Sequence, residues 1–151
     1  MVVRPPLIWG NGFNKVIRAL YESARTTGAV CYMGAGLNLY SHVHVDDLAE
    51  VYRLMLMKGQ PGARYHAVAG EASYRCMAEH AARELGVGTR SVTFEEGERI
   101  WGKFLALIAF SMCSRSRCPR TRAELGWRPH PDRKDILKEV ANPVFRSQVG
   151  D

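Results

Sequence analysis

Short β-like runs alternate with amphipathic helical stretches along this chain, and that alternation restricts the fold more than any other feature of the sequence. It argues for an α/β protein. Residues 1–4 read as the end of a buried strand, which Pro5 and Pro6 stop because proline has no N–H to give a ladder. Gly10 and Gly12 mark a loop. Phe13 to about Ala24 reads as a helix with Phe13, Val16, Ile17 and Leu20 on one face. Ala29–Gly34 is a short strand and "GAGLN" a turn, after which "LYSHVHV" alternates like a strand. It runs into a helix whose stripe is Leu48, Val51, Tyr52, Met55 and Leu56. Asp47 and Glu50 have capping-box spacing at its start, and Gly59 is placed to end it.

The second half continues the alternation. Ala63–Gly70 reads as a strand and turn, and Ser73 caps a helix carrying Tyr74, Met77, Ala78, Ala81, Ala82 and Leu85, which Gly86 stops. "RSVTF" is a short strand. Glu95 to about Met112 reads as one helix with a strongly apolar second half. "PRTRAELGWRP" holds a short helix, and "PDRKDILKEVAN" a last one with Pro131 near its start. No repeat and no low-complexity linker interrupts the pattern, so residues 1–151 are expected to form a single domain.

Composition narrows the class. The 46% hydrophobic and 24% charged residues are those of an ordinary globular chain. The apolar run Phe104–Phe110 falls far short of the roughly 18 residues a membrane span requires. "MVVRPPLIWG" has no basic head and apolar core of a secretory signal, so no membrane association and a cytoplasmic location are expected. Cys31, Cys76, Cys113 and Cys118 form no CxxC pair and are read as scattered reduced thiols. The net charge is +6. Its excess lies late, at Arg115, Arg117, Arg120, Arg122, Arg128, Arg133 and Lys134, without interleaved stacking aromatics or a nucleic-acid-binding motif. His42, His44, Asp46 and Asp47 place two imidazoles on one strand face with carboxylates following, but spacing supplies no third strong ligand, and no metal is expected.

Three segments, in order, carry a resemblance. "VVRPPLIWGNG", "YSHVHVDDLAEVYRLML" and "RAELGWRP" resemble the C-terminal half of the extended short-chain dehydrogenase/reductases, the NAD-dependent epimerase/dehydratase family. The match spans Val2 to Val140. It implies an incomplete Rossmann-like C-terminal portion with short strands and about five to six helices. The family's glycine-rich dinucleotide loop and Tyr-x-x-x-Lys pair are not found. Tyr21 is followed four residues on by Arg25, Tyr52 by Leu56 and Tyr74 by Ala78, and Gly34 and Gly36 have no third glycine at the needed spacing.

The resemblance places Pro5, Pro6 and Leu7 beside the cofactor's reactive end, and Ile8, Trp9, Asn11 and Tyr40 at the substrate. Family members acting on nucleotide-sugars often carry Asn at the position of Leu7 and Arg at that of Tyr40, and a phenol cannot replace a guanidinium on a diphosphate. The resemblance therefore implies a truncated NAD(P)-dependent epimerase/dehydratase-like protein, a substrate-lobe remnant that is not expected to be catalytic alone and that is preceded in the family by a nucleotide-binding lobe. No catalytic residue is assigned, and no cofactor is expected to bind this chain alone, NAD or NADP belonging to the full-length family. Expected partners are a second copy of the chain, through Val2–Ile8 and Ile100–Met112, or the N-terminal lobe, with a small-molecule ligand. A stand-alone binding or assembly module is the alternative, and a basic nucleic-acid-binding protein the second alternative.

Overall fold

The computed structural model describes residues 1–148. It is α/β, as the alternation requires. The strands are β1 Val2–Arg4, β2 Leu7–Trp9, β3 Ala29–Met33, β4 Leu39–His44, β5 Arg64–His66, β6 Gly70–Ser73 and β7 Gly88–Val92. The α-helices are α1 Lys15–Thr27, α2 Val45–Lys58, α3 Tyr74–Leu85, α4 Phe94–Phe104, α5 Pro119–Leu125, α6 Leu137–Val140 and α7 Pro143–Ser147. A π-helical segment, Leu105–Phe110, continues α4, and a 3-10 turn covers Pro131–Arg133.

Pro5 and Pro6 do end the first strand, which is not the buried strand expected, since Val2 and Arg4 are exposed and Val3 is half-buried, and they do more. They hand the chain from one sheet to another. β1 pairs in parallel with β5, Val3 opposite Tyr65, while β2 pairs in parallel with β4, Ile8 opposite Val43. The stretch read as loop therefore contains a second strand. β6 was also hidden, because "GEAS" has no β-branched residue; it lies antiparallel to β4, with Tyr40 opposite Ala72. β3 and β7 form a separate parallel pair.

Two apolar clusters sit around these strands. One joins α1, α3, β3 and the π segment through Ile17, Leu20, Val30, Met77 and Phe110. The other joins β5, α2 and α5 through Tyr65, Val51, Met55, Leu125 and Trp127. Trp101 and Trp127 are packing residues whose indole N–H groups donate to the Ala19 and Asp47 carbonyls.

Several local readings are corrected. Phe13 lies outside α1 and is 85% exposed, because Asn14 caps the helix by accepting the Val16 and Ile17 N–H groups. Asp47 does not cap α2. His44 does, its Nδ1 accepting the Asp46 N–H. Leu48, Val51 and Met55 are buried as expected, but Tyr52 and Leu56 are 43% and 76% exposed. The helix expected over 95–112 starts at Phe94 on a Thr93–Glu96 capping box and kinks at Gly102 (φ 78°, ψ 155°), after which the chain is π-helical. The last expected helix is divided into the Pro131–Arg133 turn and α6, and α7 follows behind an Asn142 cap.

Candidate functional site

A cleft of about 460 Å³ opens beyond the carboxyl ends of β1 and β5. That is where parallel α/β sheets hold ligands, because the loops diverge there and leave a crevice. One wall is Arg4, Pro5 and Pro6, continuing into Leu7 and Ile8 of β2. Tyr40 of β4 and His66 at the end of β5 face it, and Ser114 and Ser116 close the far side. Register explains the pairing of the two ends, since Arg4 lies opposite His66.

The serine wall is held firmly. Ser114 and Tyr40 form a parallel bridge. Ser114 N–H donates to the Leu39 carbonyl and Ser41 N–H to the Ser114 carbonyl, both at 2.9 Å. Ser116 N–H donates to Ser41 Oγ at 2.9 Å. Behind Tyr40, the buried Tyr74 ring lies 5.8 Å away, edge-on.

The cleft thus brings together Pro5, Pro6, Leu7, Ile8 and Tyr40. It does not include Trp9 or Asn11. The Trp9 ring is 5% exposed, and its Nε1–H donates to His42 Nδ1 at 3.1 Å. Asn11 sits in an exposed turn with φ 60°. Sequence reading missed Arg4, His66, Ser114 and Ser116 as cleft residues. Arg4 stood inside a quoted segment and was passed over. The serines had no signal, because only the long-range bridge to β4 brings them here.

The His42, His44, Asp46 and Asp47 group is spent on structure. His42 Nδ1 accepts from Trp9, His44 Nδ1 accepts the Asp46 N–H, and the Asp47 carboxylate takes the His130 N–H and Arg133. Burial pushes the His42 imidazole down to about 4, with Asp135 and Glu71 pulling weakly the other way.

The glycine-containing turn between β2 and α1 is not a dinucleotide cradle. Such a cradle needs free N–H groups at the helix start. Here Gly12 N–H donates to Glu139 Oε1 at 2.6 Å, and the Glu139 side chain is buried. The Val16 and Ile17 N–H groups are taken by Asn14. These N–H groups are thus already engaged within the chain and do not offer a pyrophosphate free donors.

No family model matches the chain. An uncharacterized protein of Schizosaccharomyces pombe is 30% identical over 142 residues, covering 93% of this chain and 47% of the relative. An uncharacterized protein of Saccharomyces cerevisiae is 30% identical over 130 residues, covering 85% and 43%. The chain spans less than half the length of these curated relatives. Among solved structures, the dTDP-glucose 4,6-dehydratase of Bacillus anthracis in complex with NAD matches with TM-score 0.66 and 18% identity, over 97% of this chain and 44% of that one. RMD from Pseudomonas aeruginosa complexed with NADPH matches with TM-score 0.67 and 20% identity, over 98% and 49%. A UDP-glucuronic acid 4-epimerase from Bacillus cereus matches with TM-score 0.67 and 10% identity, over 99% and 46%. The fold is therefore one found within nucleotide-cofactor epimerases and dehydratases, and it accounts for somewhat under half of each of those chains.

Proposed function

We infer that the chain is the substrate-side portion of an NAD(P)-dependent epimerase/dehydratase-like oxidoreductase and that it does not carry out hydride transfer by itself. The observation that carries this reading is the cleft beyond β1 and β5, walled by Pro5–Ile8 and Tyr40, in a fold shared with part of much longer cofactor-binding enzymes. When bound to such an assembly, NAD(P) supplies the hydride acceptor or donor. The residues of this chain enclose the substrate: the two prolines stiffen one wall, and Leu7, Ile8 and Tyr40 present apolar surface to a carbonyl- or alcohol-bearing carbon skeleton.

The β1 edge supports a partner lobe. Among the described residues β1 is bonded on one side only, to β5, and Val2 is 49% exposed. A parallel pair with an open edge gains stability from a further parallel strand. The test is to assay the 151-residue chain with NAD(P) and a panel of alcohols and carbonyl compounds, alone and co-expressed with the part of the Schizosaccharomyces pombe relative that lies outside the match. The expected result is no turnover alone and a stable, cofactor-binding complex when co-expressed. NAD(P)-linked turnover by the chain alone, surviving re-purification, refutes the reading.

A second reading has its own observation. Phe104, Leu107, Ile108 and Met112 are 74%, 46%, 41% and 44% exposed around the π segment. So much apolar surface in one region suits a contact between copies of the chain. Light scattering distinguishes it: a monodisperse species of single-chain mass removes the assembly reading.

A further inference from the structure

The cleft has a second arm that the proposed function does not use. Ser116 lines both the 460 Å³ hollow and a neighbouring one of about 400 Å³, bounded by Val68, Arg117, Cys118, Pro119 and Arg122. A third hollow, again with Ser116, lies between Glu71, Arg115 and Arg117. The three share one wall.

The charge of this arm is one-sided. Its lining carboxylate, Glu71, is taken by Arg115 at 2.8 Å, and that hydrogen bond holds the Glu71 carboxyl below the usual range. Arg120, on the next turn, is taken by Glu124 at 2.7 Å. Arg117 and Arg122 are paired with no carboxylate among the described residues, and neither is Arg4 at the other end of the cleft. Surface arginines are ordinarily solvated, but these two stand on an anchored backbone. Cys118, next to Arg117, is 5% exposed, with its thiol donating to the Val68 carbonyl. Thr121, next to Arg122, is fully buried and donates to the His66 carbonyl at 2.6 Å. Ser116 is pinned to β4. The guanidinium stems are thus fixed at their roots; neither head is held in an ion pair among the described residues, although Arg117 acts through space on the Glu71 carboxylate that Arg115 holds. Two such forks lining one hollow fit the oxygens of a phosphate or carboxylate group.

We propose that this arm binds a compact anionic group, phosphate or carboxylate, carried by a small-molecule substrate, with Arg117 and Arg122 as its charge partners and Ser116 at the junction with the Pro5–Ile8 arm. The proposal rests on the substrate-side reading above and gives it a substrate class: a short molecule with its reactive carbon at the proline wall and an anion at the arginine wall.

The test uses the 151-residue chain without cofactor, so it does not depend on turnover. Thermal unfolding is followed during titration with inorganic phosphate and, separately, with succinate, at ionic strength held constant with sodium chloride. The expected result is a saturable rise in Tm for at least one probe. Its apparent affinity falls at least about tenfold in Arg117→Ala/Arg122→Ala and is unchanged in Arg25→Ala, an exposed arginine on α1. A response to phosphate alone, to succinate alone or to both assigns the oxygen group the site prefers. Absence of any saturable response beyond chloride overturns the proposal, as does an equal loss in Arg25→Ala. Binding of a short DNA duplex through the same two arginines, with no response to either small anion, overturns it in favour of a nucleic-acid backbone. Saturable anion binding with no cofactor-linked activity in the co-expressed complex refutes the oxidoreductase reading while leaving the anion site standing.

Discussion

The buried carboxylate of Asp47 receives the Arg133 guanidinium at 3.3 Å across 86 residues of chain. The same carboxylate accepts the His130 N–H at 3.0 Å, and the Asp47 carbonyl accepts from Trp127 Nε1. The first turn of α2 is thereby tied to the segment that follows α5. Asp47→Ala keeps the backbone carbonyl that Trp127 uses but leaves the His130 N–H and the Arg133 guanidinium without their acceptor, in a site where the side chain was 6% exposed, and is expected to cost about 2–4 kcal/mol. Asp46→Ala removes only the 52% exposed partner of Arg133 and is expected to cost less than about 1 kcal/mol. Urea unfolding of the two variants checks this: equal losses would mean that the charge of Arg133, not the buried acceptor, holds the segment.

His42 gives the fold a pH dependence. Its imidazole is held at about 4 by burial, below the ordinary value near 6.5, so the folded state keeps it neutral where the unfolded state takes a proton. The unfolded chain then binds more protons between about pH 6.5 and 4, and stability falls as pH falls through that window. From pH 7 to pH 5 this one group is expected to remove about 2 kcal/mol. In His42→Gln, whose amide oxygen can still accept from Trp9 Nε1, that part of the slope disappears. Urea midpoints at about pH 5 and pH 7 measure it, and an unchanged slope in the variant counts against the assignment.

What the sequence disclosed was what short-range chemistry decides. α1 and α3 could be read from apolar spacing, and Gly28 and Gly86 close them with φ of 78° and 67°. Ser73 caps α3 as its position suggests. Gly59 ends α2, though in extended rather than left-handed backbone. What stayed hidden depends on partners distant in sequence. "GEAS" becomes β6 only because β4 is beside it, and Asp47 leaves its apparent cap role because His130 and Arg133 arrive to use it. The cleft divides the same way. Pro5–Ile8 and Tyr40 were legible through the segments that contain them. Ser114 and Ser116 were not, since the bridge to β4 alone brings them to the wall.

The kink after α4 isolates one such local decision. Gly102 has φ 78° and ψ 155°, a region that residues with a Cβ avoid, and open space surrounds the position where a Cβ would stand. Gly102→Ala is therefore expected to lose about 1–2 kcal/mol from backbone strain alone. Gly102→Asn should give no relief, because asparagine tolerates the left-handed helical region and not this one. Thermal unfolding checks this pair: wild-type stability in Gly102→Ala would show that the kink is not imposed by the backbone.

Two buried tyrosines with opposite hydrogen-bond states provide the last test. Tyr21 Oη–H donates to the Val140 carbonyl at 2.6 Å and fastens α1 to α6. Tyr74 Oη is buried with no partner among the described residues, behind Tyr40 of the cleft. Burial raises both phenol pKa values, so neither ionises near neutral pH. Tyr21→Phe leaves the Val140 carbonyl without its donor and is expected to cost about 1–2 kcal/mol. Tyr74→Phe removes a hydroxyl that was already unsatisfied and keeps the ring that packs on Phe110 at 5.2 Å. Its stability should be unchanged or higher by up to about 1 kcal/mol. Chemical denaturation of both variants reads the difference directly. A loss in Tyr74→Phe as large as that in Tyr21→Phe would require a partner for the Tyr74 hydroxyl, and the Tyr40 side of the ring is where it would have to be sought.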